Sequence, residues 1–142
     1  MWQYNDSQEL RHYGVVGMKW GKRRAASKYK KEATKANNSL KKKIPQMKIN
    51  AYNKTASEYN NGKIEAYNKK HKPDSEGYAE GYQKAFAKDF NRNYSKIYLN
   101  ELLNDRHYQK AQEICKKYGL SKTDDLVKNN ETFIKQMKES AR

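Results

Sequence analysis

The chain has 142 residues, of which 35% are hydrophobic even with tyrosine counted, and 31 Lys/Arg against 16 Asp/Glu give a formal charge of +15. Leu, Ile, Val and Phe supply about 13% of it, less than a self-sufficient full-length globule requires. This composition favours an all-α protein, with elongated basic N-terminal helices followed by a small C-terminal helical bundle, completed by a partner. The single cysteine, Cys115, excludes an internal disulfide and suits a reducing compartment. No apolar run approaches the ~20 residues that span a bilayer, and "MWQYNDSQEL" lacks a signal-peptide apolar region. The expected setting is a cytoplasm, or a particle assembled there, with no membrane partner.

Charge is unevenly placed. Residues 1–72 hold 18 basic and 5 acidic side chains, whereas residues 73–142 hold 13 and 11. That polarity points to a basic arm for a polyanion and a near-neutral half that folds or docks.

Residues 1–24 show no sustained helical period and carry "HYGVVGMKWGKRR" at 12–24. Glycines at 14, 17 and 21 would permit backbone conformations closed to other residues. Tyr13, Met18 and Trp20 are residue types that dominate binding hot spots, and the basic side chains suit carboxylates or phosphates. The segment closely resembles a motif, H-Y-G-V-x-G-M-K-W-G-x-R-R, of tailed-bacteriophage and prophage proteins of Gram-positive hosts, most of them uncharacterised or labelled virion- or head-associated. The matching positions are His12, Tyr13, Gly14, Val15, Gly17, Met18, Lys19, Trp20, Gly21, Arg23 and Arg24. What the resemblance implies is a biological setting, with localisation in the virion or in the host cytoplasm during assembly. Three uses of the stretch stand side by side: docking onto a phage structural protein, pinning the arm to the chain's own bundle, and processing after Arg23-Arg24.

From Ala25 onward the pattern is helical. Ala25, Tyr29, Ala33, Ala36 and Leu40 follow a 4-4-3-4 spacing and share one face. Around them stand Lys22, Arg23, Arg24, Lys28, Lys30, Lys31, Lys35, Lys41, Lys42 and Lys43, the candidate nucleic-acid contacts. Pro45 is expected to end or kink this helix. "KINAYNK" at 48–54 returns as "KIEAYNK" at 63–69; on one helix the copies would lie roughly 60° apart. Asn60-Asn61-Gly62 between them equally suits a turn.

"KKHKPDSEG" at 69–77 reads as a linker, with Ser75 a candidate cap for the next helix. That helix places Tyr78, Tyr82, Phe86, Phe90, Tyr94, Tyr98 and Leu102 at intervals of four, a row expected to be core. It drifts about 40° per step, so neighbouring helices must wrap it or the helix must break near Asn91-Arg92-Asn93. A further helix spans Asp105 to Tyr118, with Ile114 and Cys115 inward and Gly119 as its left-handed C-cap. The last helix starts at Ser121 or Thr123 and carries Leu126, Val127, Phe133, Ile134 and Met137. The organisation is thus a docking motif at 1–24, a basic helical region at 25–72 and a helical bundle at 73–142.

Catalytic chemistry finds no support, and no cofactor or metal is expected. His12, His71 and His107 are scattered, no ligand spacing occurs, and the glycines match neither phosphate-loop nor dinucleotide patterns. "AQEICKKYGLSKTDDLVKNN" at 111–130 resembles a helix-turn-helix DNA reader, but Asp125 and Lys128 stand where its second helix needs apolar residues. The expectation is a non-enzymatic phage virion-associated or assembly protein that docks through 12–24 and contacts nucleic acid non-specifically. The alternatives are a host-directed phage regulator and a DNA reader using 111–130.

Overall fold

In a computed structural model the described residues are 17–120 and 125–142, without the side chains of 17–20. Their regular structure is helical throughout: α1 (Gly17–Glu58), α2 (Ile64–Lys70), α3 (Tyr78–Leu103), α4 (Arg106–Tyr118) and α5 (Asp125–Ser140). The all-α expectation holds, and no strand occurs among the described residues.

Helix α1 follows the apolar spacing. Ala25, Tyr29, Ala33, Ala36 and Leu40 are all 7% exposed or less, and Met47, Ala51, Thr55 and Tyr59 extend the buried row. Two features differ from the sequence reading: α1 already includes Gly17, inside the segment read as non-helical, and of the two outcomes expected at Pro45 the helix does not end there. Proline removes one N–H and orphans the carbonyl four residues earlier. Both Pro45 and Lys41 are exposed, so water can satisfy that carbonyl while Leu40 and Met47 keep the inner face packed.

Between α1 and α2 the chain kinks rather than folding back. Asn61 leaves helical geometry (φ −93°, ψ 16°), Gly62 takes φ 141°, and the Ile64 N–H returns to the Tyr59 carbonyl. The two sequence copies therefore sit on different helices and keep different faces. In the first, Ala51 is buried and Tyr52 exposed; in the second, Ala66 is exposed and Tyr67 partly buried. The linker lies at 71–77, where the Ser75 hydroxyl donates to the Lys72 carbonyl at 2.6 Å instead of capping α3.

Helix α3 is unbroken through Asn91-Arg92-Asn93. Its aromatic row is not core: of the seven positions only Leu102 is buried, and the six rings are partly exposed. The buried line holds Asp89, Asn93 and Ser95 instead. The rings flank it. Tyr59 meets Tyr82 and Phe86 at 5.5 and 5.1 Å between centroids, and Tyr67 meets Tyr78 at 5.2 Å. Further along, Phe90, Tyr94 and Tyr98 pack ring on ring down their own helix. A row spaced by four winds around a straight helix, so no single neighbour covers all of it.

The described residues form two compact units, 17–39 with 102–120 and 125–133, and 40–101 with 134–142. Their bounds differ from the divisions drawn at 24 and 72, and the buried stripe of α1 runs through both units. In the first unit Ala25, Tyr29 and Ala33 pack with Ala111, Cys115, Leu120 and Val127. Asp105 caps α4 by accepting from the Tyr108 N–H at 2.9 Å, and Gly119 closes it in the left-handed conformation (φ 61°, ψ 38°). The buried Cys115 and the glycine cap match the sequence reading. In α5 only Val127 is buried; Leu126 and Phe133 are 36% and 41% exposed. The proposed start at Ser121 or Thr123 lies outside the described residues.

Candidate nucleic-acid interface

The stripe that buries one face of α1 turns its cations outward. Lys22, Arg23, Arg24, Lys28, Lys30, Lys31, Lys35, Lys41, Lys42 and Lys43 are all exposed. They do not form one patch. Arg24, Lys28, Lys31 and Lys35, at steps of 4-3-4, lie along one flank, whereas Arg23, Lys30 and Lys41 fall on the other. Lys41, Lys42 and Lys43 belong to the second unit, where the Lys43 ammonium meets Glu101 at 3.1 Å.

The first flank borders a groove with α4. One hollow of about 450 Å³ is lined by Gly21, Arg24, Ala25 and Lys28 from α1 and by Glu113, Ile114, Lys117 and Tyr118 from α4. A second, about 320 Å³, shares Lys28, Glu113 and Ile114 and adds Lys31, Glu32 and Lys110. Cations thus outnumber carboxylates five to two in the combined lining. One carboxylate is already engaged, since the His107 ring nitrogen lies 2.7 Å from Glu32. That hydrogen bond holds the Glu32 carboxyl below its ordinary value against partial burial, helped by the charges of Lys35 and Lys110. The pair also ties α4 to α1 beside the groove. At the other end Lys117 sits over the Tyr118 ring, 5.5 Å from its centroid.

Such a site can hold an anionic polymer. Rows of lysine and arginine on two helices have the charge to pair with successive phosphates, and Ile114 adds a partly buried apolar side chain packed against the core. The favoured sequence reading placed its nucleic-acid contacts between Lys22 and Lys43 and did not join them to the α4 wall, which entered only in the alternative of a DNA reader using 111–130. Lys110, Glu113, Ile114, Lys117 and Tyr118 are spaced 3-1-3-1, a single helix face. The near-zero charge of the second half concealed that local concentration.

The docking motif is only partly described. His12, Tyr13, Gly14 and Val15 lie outside the described residues, and Gly17, Met18, Lys19 and Trp20 enter α1 with only their backbone described. Gly21 is helical, and an added Cβ would meet no atom within 4 Å. Neither a turn nor an internal close approach explains that glycine, which corrects its reading as a conformational joint. It leaves a bare spot at the mouth of the groove.

Other candidates resolve as structure. His71 stacks on Tyr67 at 4.5 Å and His107 holds Glu32. No group of three or more His, Cys, Asp or Glu side chains that could hold a metal occurs among the described residues. No described helix is long and apolar enough to cross a membrane. In the α4–α5 hairpin, Val127 is the buried contact while Asp125 and Lys128 are exposed.

Residues 5–27 match a family whose function is unknown (DUF7211). The match covers about a sixth of the chain, and it includes the whole motif at 12–24 together with Gly21, Arg24 and Ala25 of the groove. No curated protein and no solved structure matches the chain.

Proposed function

We propose that this chain is a non-enzymatic phage protein, associated with the virion or its assembly, that binds nucleic acid through phosphates. The observation that carries the reading is the cationic groove, where Arg24, Lys28 and Lys31 of α1 face Lys110 and Lys117 of α4. Backbone neutralisation of this kind is blind to duplex sequence and weakens steeply with salt. The phage setting is supported by the motif at 12–24, whose residues adjoin the groove through Gly21 and Arg24. In this account the motif docks onto a phage structural protein and the groove engages nucleic acid next to it.

The test is a titration with unrelated duplexes of equal length at two salt concentrations. Equal affinities that fall together as salt rises support the proposal. One strongly preferred sequence would transfer the function to the α4–α5 hairpin as a DNA reader. For docking, the Trp20→Ala variant is expected to lose incorporation into particles while keeping its circular-dichroism melt. A collapsed melt would mean instead that Trp20 pins the chain to itself.

A further inference from the structure

The groove is not a plain phosphate cradle. Glu113 lines both of its hollows together with Lys28, and its carboxylate makes no hydrogen bond or ion pair among the described residues. A carboxylate set among the cations repels a phosphate arriving at that point. It does accept a hydrogen bond from the exocyclic amino group of a base, as from N4 of cytosine. Beside it are the partly buried Ile114 and the exposed Tyr118 ring, an apolar floor and an aromatic end for a base that has left its stack. The hollows of about 450 and 320 Å³ give room for a nucleotide or two. A duplex keeps its base faces stacked on one another, so it can offer phosphates to the cations but no base face to the Tyr118 ring. Cationic walls that follow a backbone, joined to aromatic and apolar surface for bases, are the general composition of single-strand sites.

We infer that the α1–α4 groove is a single-stranded nucleic-acid site in which Glu113 and Tyr118 receive a base carrying an exocyclic amino group. The inference rests on the nucleic-acid reading above and deepens it. Duplexes meet only the outer cations, whereas a single strand also enters the groove.

The experiment is fluorescence anisotropy of the full chain with labelled twelve-residue cytosine and thymine homopolymers, their RNA counterparts, and a blunt hairpin duplex, all at one salt concentration. The cytosine strand is expected to bind at least about ten-fold tighter than the duplex and about three-fold tighter than the thymine strand. Glu113→Leu, which leaves no acceptor, should erase the cytosine margin without weakening thymine binding. Tyr118→Ala should weaken both single strands about ten-fold, with Tyr118→Phe restoring them. A DNA–RNA difference within a maintained single-strand preference supports the inference and identifies the natural strand. Equal affinity for duplex and single strands overturns it while leaving the proposed function standing; no binding to any probe at low salt removes both. Displacement by polyglutamate as effective as by unlabelled oligonucleotide would also overturn it, in favour of an acidic peptide.

Discussion

The Tyr59 hydroxyl donates to Oδ2 of Asp89 at 2.8 Å, and the same oxygen takes the Lys63 ammonium at 3.1 Å. Arg92 holds the other carboxylate oxygen. Nearby, the Asn93 amide donates to Thr55 Oγ1 at 3.0 Å and to Glu58 at 3.1 Å. The end of α1, the kink and α3 are thus fastened by a polar cluster where the sequence suggests aromatic core. Removing one member strands the others, which costs more than the net worth of a single hydrogen bond.

Asp89→Ala is expected to destabilise the protein by about 2–3 kcal/mol, and Tyr59→Phe by about 1 kcal/mol. Burial pushes the Asp89 carboxyl up, but the hydrogen bonds from Tyr59 and Lys63, the Lys63 charge and Arg92 outweigh it, so its value is lowered. The stability it confers is present above the ordinary carboxylate range and is lost as pH falls through the lowered value. Burial first, and then Asp89, push the Tyr59 hydroxyl up. Its contribution is complete below about pH 10 and disappears as pH rises toward its raised value. Thermal melts of the wild type and Asp89→Asn across acid and alkaline pH measure both limbs; the variant should lose the acid limb.

The Glu32–His107 pair makes a parallel prediction in the first unit. Glu32→Gln should lower stability by about 1 kcal/mol, and it should flatten the wild type's decline at acid pH. The sign follows from the lowered Glu32 value: its stabilisation holds above about pH 4.3 and fades as pH falls through the folded-state value. Denaturant melts at pH 3, 4 and 7 would show this, and identical curves for variant and wild type would contradict it.

Gly62, Gly77 and Gly119 take positive φ that other residues resist, and the first and last give two tests. At Gly119 (φ 61°) an added Cβ meets nothing within 4 Å, so Gly119→Ala isolates the left-handed penalty of about 1–2 kcal/mol. Gly62, at φ 141°, lies where a side chain is costlier, and Gly62→Ala should cost about 2–3 kcal/mol. Gly21→Ala, in helical geometry with open space, should be neutral or slightly stabilising. Chemical denaturation ranks the three.

How much of this was legible depends on what each signal reports. The Ala25–Leu40 spacing found the inner face of α1 because burial on a helix repeats every three or four residues. Gly119 was legible for a local reason, the backbone conformation of a helix end. The aromatic row of α3 misled because ring size was read as depth, while the buried line fell on Asp89 and Asn93, whose polar groups find partners only in three dimensions. At Pro45 the sequence could not choose between an ended and a continued helix, because the cost of proline depends on its surroundings, and here both Pro45 and Lys41 are exposed. The cations of α1 were legible as exposed; their partners Lys110 and Lys117 were hidden by averaging charge over a whole half of the chain.

Pro45 allows a direct check. With an exposed proline inside α1, Pro45→Ala restores a helical N–H and should raise stability by about 1–3 kcal/mol. A neutral or destabilising outcome would show that the proline geometry is needed where it stands.

The central claim is that the α1 flank and its groove neutralise phosphates, and salt dependence reads it most directly. Observed affinity for a non-specific oligonucleotide should fall linearly on a log–log plot against salt, with a slope of about −0.9 per duplex phosphate neutralised. Replacing Arg24, Lys28 and Lys31 together by Gln should make that slope shallower by about 2–3 and leave the melt unchanged, since all three are exposed. A wild-type affinity indifferent to salt, or a triple variant with the wild-type slope, would contradict the account.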